Sequence, residues 1–336
     1  MIIAIDAMGG DNAPRAVLEG CAMALKELPE TVQLNLFGDA AKIGALMEEL
    51  QIPKARVTVT ATTEVVGCDE SPTMAIRKKK DSSLVRAIGA VAAKEADCVL
   101  SAGSTGALLT GATLIIKRQK NVKRPALATV MPTAKQGAVM LIDCGANTDS
   151  KPQYLQQFAL MGTAYMQKLM NVAAPRVGLL NNGAESEKGN ELTKATYPLL
   201  AGMDINFVGN CEARDVLSGD FDVVVCDGFD GNVVLKGTEG VAGFMMTMLK
   251  KNLLGSLRGK VGAAIAKPAF RSLKRTLDYT EYGGAPLLGV AGGVIKAHGS
   301  SNGKAFQCAI RQAYHLIDAE VIRLVGDSIA ALPDED

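Results

Sequence analysis

Tryptophan is absent and aromatic residues make up only 4% of the chain, which leaves little surface for stacking on bases. Net charge is +1, so no overall field draws the chain toward nucleic acid, and no nucleic-acid partner is expected. Glycine is plentiful, at 35 residues, yet no two glycines stand two apart. G-x-G is therefore missing, and with it the dinucleotide fingerprint and the kinase glycine loop. There is no G-x-x-x-x-G-K-[ST] loop and no H-E-x-x-H. The two histidines, His298 and His315, are too few for a typical zinc site, so neither metal nor cofactor is expected. Seven cysteines are scattered without a CxxC, which reads as reduced, mostly buried thiols of a cytosolic protein. Met1 leads straight into an apolar strand, so no signal peptide is expected. Cys98 to Ile116 carries no charge and has the length of a membrane span. The Ser101–Gly106 run in its middle makes strand, loop and helix the better reading.

What is present is a repeated layout. Ile2–Ile5 leads to Asp6-Ala7-Met8-Gly9-Gly10-Asp11-Asn12. Ala138–Ile142 leads to Asp143-Cys144-Gly145-Ala146-Asn147, and Val223–Cys226 leads to Asp227-Gly228-Phe229-Asp230-Gly231-Asn232. Each is a short apolar run ending in turn residues, the signature of a buried strand. Ligands in open α/β sheets bind beyond the carboxyl ends of strands, so the layout predicts one crevice holding all three aspartates. The first 60 residues alternate strand and helix, which predicts parallel strands with helices on both faces. Asn12 is expected to cap the first helix and Ser82 another. Ala126–Met131 and Ala138–Ile142 read as an antiparallel arm, 287–295 as one strand, and about 306–325 as one long helix. With 48% apolar and 21% charged residues, the chain reads as a single α/β catalytic unit, 1–336, with a central cleft, and a basic amphipathic helical excursion over 240–278.

Five constellations carry chemistry. Ser101-Ala102-Gly103-Ser104-Thr105-Gly106 joins a strand to a helix, offering unpaired N–H groups and hydroxyls to an anion; plain capping by Ser104 or Thr105 explains it equally. Arg77-Lys78-Lys79-Lys80 precedes a helix start and suits either phosphate or a solvated face. Asn181, Glu185 and Lys188 lie in a polar loop after the strand Val177–Leu180 and are expected to reach into the cleft. His298, at a strand end, is the better histidine for acid–base work. Gly299-Ser300-Ser301-Asn302-Gly303 matches the hydrolase elbow, but no Asp-then-His order follows it. From Gly240 to Leu277 there is no acidic residue, while Lys250, Lys251, Arg258, Lys260, Lys267, Arg271, Lys274 and Arg275 fall within it. Apolar Met245, Leu249, Leu253, Leu257, Val261 and Ile265 recur every four residues. With Leu254 beside them, these residues predict a docking face for anionic lipid, an acidic partner or a second subunit.

The segments IAIDAMGGDNAP (3–14), RKKKDSS (77–83), SAGSTGAL (101–108), DGFDGNVVLK (227–236), YGGAPLLG (282–289) and HGSS (298–301) run from end to end. On them the chain resembles the bacterial phosphate acyltransferase (fatty acyl-phosphate synthase) family. The resemblance implies a two-lobed fold like that of phosphotransacetylase and isopropylmalate dehydrogenase, with a largely parallel twisted sheet flanked by helices. It implies transfer of a fatty acyl group from acyl carrier protein to inorganic phosphate. It also implies a cytoplasmic homodimer at the membrane periphery, feeding a membrane glycerol-3-phosphate acyltransferase in phospholipid synthesis.

Phosphate is already nucleophilic, so positioning supplies much of the catalysis. Lys78, Lys79, Lys80 and the Ser101, Gly103, Ser104, Thr105 and Gly106 loop are the expected phosphate site. Gly9, Gly10, Asp11, Asn181, Glu185, Gly228 and Ser300 are the expected substrate contacts. Asp6, Asp143, Asn147, Lys188, Asp227, Asn232 and His298 are the expected catalytic groups, with amides and backbone N–H groups facing the oxyanion. Two alternatives stand beside this reading: a CoA-dependent short-chain phosphotransacetylase and a non-enzymatic peripheral membrane scaffold.

Overall fold

The structure is a computed structural model that describes residues 1–135, 137–270 and 283–332. Arg271, Lys274, Arg275 and Tyr282 lie outside these.

Strands β1 (Ile2–Asp6), β2 (Gln33–Gly38), β3 (Val57–Ala61), β4 (Cys98–Ser101), β5 (Ala126–Pro132), β6 (Ala138–Ile142), β7 (Val177–Asn181), β8 (Phe207–Glu212), β9 (Val223–Val225), β10 (Ala285–Leu288) and β11 (Gly293–Lys296) form one sheet. Its order is β3-β2-β1-β4-β11-β10-β5-β6-β9-β7-β8. Helices are α1 (Arg15–Ala24), α2 (Ala40–Glu49), α3 (Pro72–Lys78), α4 (Ser83–Ala92), α5 (Thr105–Gly111), α6 (Pro152–Leu169), α7 (Glu191–Ala201), α8 (Gly228–Leu254), α9 (Leu257–Ile265), α10 (Gly303–Asp318) and α11 (Val321–Ala330). The central strands carry apolar side chains on both faces: Ile3, Ala4 and Ile5 of β1, like Val99 and Leu100 of β4, are wholly buried. Such strands need helices above and below, as the fold provides.

The direction of the strands decides where the sites lie. β1, β2, β3, β4 and β11 run parallel. β10 is antiparallel to both β11 and β5, and β5 is antiparallel to β6. β6, β9, β7 and β8 then run together, opposite to β11. The carboxyl ends of the two parallel sets therefore face opposite edges of the sheet. This overturns the expected single crevice: Asp6 lies on one edge, and Asp143 and Asp227 on the other.

Three local expectations also change. The 287–295 stretch is a hairpin, β10 and β11, broken where Gly289 adopts a left-handed φ of 86°; a glycine is the residue that takes that conformation without strain. The 306–325 helix is two helices, α10 and α11, separated at Glu320 with φ 52°. Asn12 does not cap α1. Its amide instead donates to the carbonyls of Ser300 and Ser301, each at 3.2 Å. The β5–β6 arm is present, and Ser82 does cap α4, accepting from the Val85 N–H at 3.3 Å.

Candidate active site

At the first edge three loops converge. The Asp11 N–H donates to the Gly299 carbonyl at 2.9 Å, and the Asn12 amide clasps the same turn. Gly10, at φ 103°, has no room for a side chain: a Cβ there would stand 2.9 Å from the Ala102 methyl and 3.1 Å from the Gly299 oxygen. The loops after β1, β4 and β11 thus touch backbone to backbone. This brings together Asp6, Gly9, Gly10, Asp11, Ser101, Gly103, Ser104, Thr105, Gly106, His298 and Ser300.

Asp6 is the buried centre, at 2% exposure. The Ser101 hydroxyl donates to Asp6 Oδ2 at 2.7 Å, and the Gly103 N–H donates to Ser101 Oγ at 3.0 Å. Burial pushes the Asp6 carboxyl above its ordinary range, against the hydrogen bonds from Ser83, Ser101 and the Met8 and Gly9 backbone. Ser83, the first residue of α4, is 1% exposed, and its hydroxyl has no hydrogen-bond partner of good geometry. Ser104 caps α5, accepting from the Ala107 N–H at 3.3 Å, so the capping reading holds for that side chain. His298 is exposed; its Nδ1 lies 2.8 Å from Ser300 Oγ and accepts from the Ser300 N–H at 3.2 Å. Nε2 then carries the proton and is left as a donor at the rim. Ser301, the elbow serine, is buried, and Asn302 caps α10, its carbonyl accepting from the Ala305 N–H at 3.0 Å; the turn is a helix start, not a nucleophile elbow.

The lysine run is placed differently from the expectation. Lys79 pairs with Glu70 at 2.6 Å and donates to the Val65 carbonyl at 2.7 Å, while Lys80 donates to the Ile76 carbonyl at 3.2 Å. Lys78 and Lys80 are exposed. Two of the three ammonium groups therefore serve their own loop. The buried cation is one the sequence reading passed over, Lys296 at the end of β11, at 9% exposure. A lysine inside Gly293-Val294-Ile295-Lys296-Ala297 was the available signal.

The second edge is built for support. Asp143 is wholly buried. Its Oδ1 accepts from the Leu127, Gly145 and Ala146 N–H groups, and its Oδ2 from the Asn147 N–H and side-chain amide, at 2.7–3.2 Å. Five donors fill the roughly four lone-pair sites of a carboxylate, which leaves none to orient phosphate. Asn147 spends its amide on Asp143 and on the Pro125 carbonyl. Asp227 caps α8, accepting from the Phe229 and Ser150 N–H groups at 2.8 and 2.9 Å. All three side chains are engaged in hydrogen bonds that hold their own loops and the start of α8. Gly228 and Gly231 let α8 start against this cluster; a Cβ on Gly231 would lie 1.9 Å from the Asp143 carbonyl oxygen. Asn181, Glu185 and Lys188 also lie on this edge, after β7. Asn181 holds the loop through the Lys188 carbonyl at 3.0 Å, and Glu185 and Lys188 are exposed.

α8 links the two edges. It starts at Gly228 beside Asp143 and carries Asn232, exposed, one turn later. Lys236, about 12 Å along the axis, is near enough to Lys296 for the two charges to repel. Beyond it the helix is lightly covered: its only buried residues are Gly228 and Gly231, and Ala242, Met246 and Leu249 are half-buried. Val241, Phe244, Met245, Leu254, Leu257, Val261 and Ile265 are all exposed. An apolar groove of about 1250 Å³ runs along it, lined among others by Met131, Leu217, Val234, Leu235, Met245 and Leu249. Lys250, Lys251, Arg258 and Lys260 are exposed on α8 and α9. The four-residue apolar stripe is interrupted at Gly255, where Ser256 caps α9. No helix among the described residues is long and apolar enough to cross a membrane.

The cysteines beside the Asp143 and Asp227 strand ends, Cys144 and Cys226, are not placed as nucleophiles. Six cysteines are buried and Cys68 alone is exposed. Burial pushes Cys144 up to about 12 and Cys226 well above its ordinary value, so neither offers a thiolate.

Comparison with known proteins agrees with this geometry. Residues 1–324 match the family described as "Fatty acid synthesis protein". A phosphate acyltransferase of Clostridium perfringens (strain SM101) is 51% identical over 330 residues, 98% of this chain and 97% of that protein. One of Clostridium botulinum (strain Langeland) is 48% identical, over 99% and 98%. Among solved structures, a phosphotransacetylase from Streptococcus pyogenes aligns with a TM-score of 0.61 at 18% identity, over 96% of this chain and 94% of that one. A branched-chain phosphotransacylase from Enterococcus faecalis gives 0.59 at 14%, over 94% and 99%. At such identities these structures speak for the fold alone: a mostly parallel sheet between helices, as expected.

Proposed function

The chain belongs to the fatty acid synthesis protein family, and from that membership we propose that it transfers a fatty acyl group from acyl carrier protein to inorganic phosphate. The observation that carries the site is the buried Asp6–Ser101–Ser83 cluster at the loops after β1, β4 and β11. Unpaired polar groups held out of water cost free energy unless something binds them, and phosphate offers both acceptors and a donor. A phosphate oxygen attacks the thioester carbonyl, the tetrahedral oxyanion faces the Gly10 turn, and the carrier thiolate departs with the C–S electron pair. His298, at the rim, is placed to give that sulfur a hydrogen bond.

Purified protein with palmitoyl-carrier and labelled phosphate is expected to form palmitoyl phosphate. Label transfer from acetyl-CoA but not from palmitoyl-carrier would move the reading to a short-chain phosphotransacetylase. Transfer from neither donor at saturating phosphate would leave the scaffold reading.

The docking part of the reading is that α9 and the outer half of α8 rest on an anionic membrane, where the acyl phosphate passes to a membrane glycerol-3-phosphate acyltransferase. Exposed Leu254, Leu257, Val261 and Ile265 beside Lys250, Lys251, Arg258 and Lys260 support it, each cation contributing about 1 kcal/mol near anionic lipid. A homodimer belongs to the same reading, since Phe229, Val233 and Phe244 of α8 are exposed among the described residues. Changing the four cations to Glu is expected to abolish flotation with anionic liposomes. Intact flotation with a raised KM for acyl carrier would place the carrier, not lipid, on this face.

A further inference from the structure

Lys296 is the one buried cation among the described residues. It ends β11 in register with Ser101 of β4, which puts it beside the Asp6 cluster. Its ammonium donates to the Ala102 carbonyl at 3.3 Å and to the Ala297 carbonyl. Both partners are neutral, and no carboxylate forms an ion pair with it. An ammonium has three N–H donors, and the third has no partner among the described residues. Asp6 and Asp11 are near enough to act on its charge but neither bonds to it, and a buried charge without a bonded counter-charge is costly, so the geometry leaves room for an anion at this place. Asp6 lies close by but makes no hydrogen bond to the ammonium; its oxygens accept from the Ser101 hydroxyl and the Met8 N–H, and each keeps a lone pair for a further donor.

Resting on the acyl-transfer reading, we propose that Lys296 binds the nucleophilic phosphate, pairing its free N–H with a phosphate oxygen, while the Ser83 hydroxyl gives a second contact and Asp6 accepts the phosphate O–H. The ammonium offsets part of the negative charge that dianionic phosphate and Asp6 bring together, and the hydroxyls add neutral donors and acceptors. In the step, an ionised phosphate oxygen forms the new bond to the acyl carbon and the C–S bond breaks with its electron pair on sulfur. The phosphate proton passes to Asp6, which gives it up again so that it ends on the departing thiolate. Atoms and charge balance without a further reactant. The groups facing Lys296 from neighbouring elements are Asp6, Asp11, Cys68 and Lys236; burial outweighs them and pulls the ammonium down to about 8. The ammonium is present below that pH and lost above it, so phosphate binding weakens as pH rises through about 8.

The test is steady-state kinetics of Lys296→Met and Lys296→Arg with phosphate and acyl carrier varied separately. Lys296→Met is expected to lower kcat/KM for phosphate by about a hundredfold with the KM for acyl carrier unchanged, and Lys296→Arg to recover part of it. In wild type, kcat/KM for phosphate is expected to fall above pH about 8, and in Lys296→Met this limb is expected to vanish. A purely structural lysine would lower stability in both variants and leave the phosphate KM and the pH limb untouched, which would overturn the proposal. Should the Met variant not fold, the wild-type protein answers by itself. Acetylation of Lys296, followed by mass spectrometry, is expected to slow in inorganic phosphate but not in chloride of equal ionic strength. No protection in an active enzyme overturns the role of Lys296. Protection in a protein inactive with every acyl donor overturns the reaction instead.

Discussion

Asp6→Asn is expected to lower kcat/KM for phosphate by about a thousandfold while the melting temperature stays level or rises. The two halves of this result have one cause. Asp6 sits in the pocket as a carboxylate that burial disfavours: its native pKa lies above its ordinary value. A carboxyl whose folded pKa is raised contributes stability below its unfolded pKa and loses it as pH rises through the folded pKa. At neutral pH the charged Asp6 is therefore a net cost to folding, and the uncharged amide removes that cost at equal size. Catalysis moves the other way. An amide cannot accept the phosphate proton, and its NH₂ turned toward Ser101 disorders the hydroxyl that now donates to Oδ2 at 2.7 Å. Losing a positioned base alone is worth about 10²–10⁴ in rate. Urea or thermal unfolding measured beside kinetics decides it: a large fall in stability with a small one in activity would make Asp6 a structural residue.

Asp143→Ala is expected to show the reverse, a loss of about 4 kcal/mol in unfolding free energy. Removing the carboxylate strands the N–H groups of Leu127, Gly145, Ala146 and Asn147 and the Asn147 amide. Each buried donor left without a partner costs about 1–3 kcal/mol, and water entering the space recovers part of the sum. The loop that packs against Gly228 and Gly231 loses its shape, and the start of α8 goes with it. Urea midpoints measure the loss. A fall below about 1 kcal/mol with activity abolished would return Asp143 to the reacting groups.

These two aspartates read alike in the sequence. Each ends a strand of Ile, Val or Ala and each is followed by glycine, and the local pattern located both strand ends. The difference between them is long-range. β10 and β6 reverse direction within the sheet, and that reversal carries Asp143 and Asp227 to the far edge. Nothing within a few residues of Asp143 encodes which way its strand points relative to β1, because that is set by the pairings between them, and two of these, β10 with β5 and β11 with β4, join segments more than a hundred residues apart. The β5–β6 arm was legible because its six-residue connection leaves two adjacent apolar runs only one way to pair. The break at Glu320 was not, since neither glycine nor proline marks it. The cap at Ser82 was legible, and so was the layout of strand, loop and helix over 98–111. Lys296 was hidden by its neighbours: inside an apolar strand, one charge looks like a surface-facing position until the sheet is closed around it.

Gly237, Gly240 and Gly243 stand on α8 with nothing near them. Each costs a helix about 1 kcal/mol relative to alanine, and no packing within the chain repays the sum. A rod about 40 Å long, fastened only where it leaves the sheet, owes its outer turns to whatever lies against them. Its order is thus set by its surroundings, and the same rod has its fastened end beside the Asp143 cluster and its third turn beside Lys296. A surface laid along the outer turns would thus cover the same helix that carries Lys236 beside Lys296.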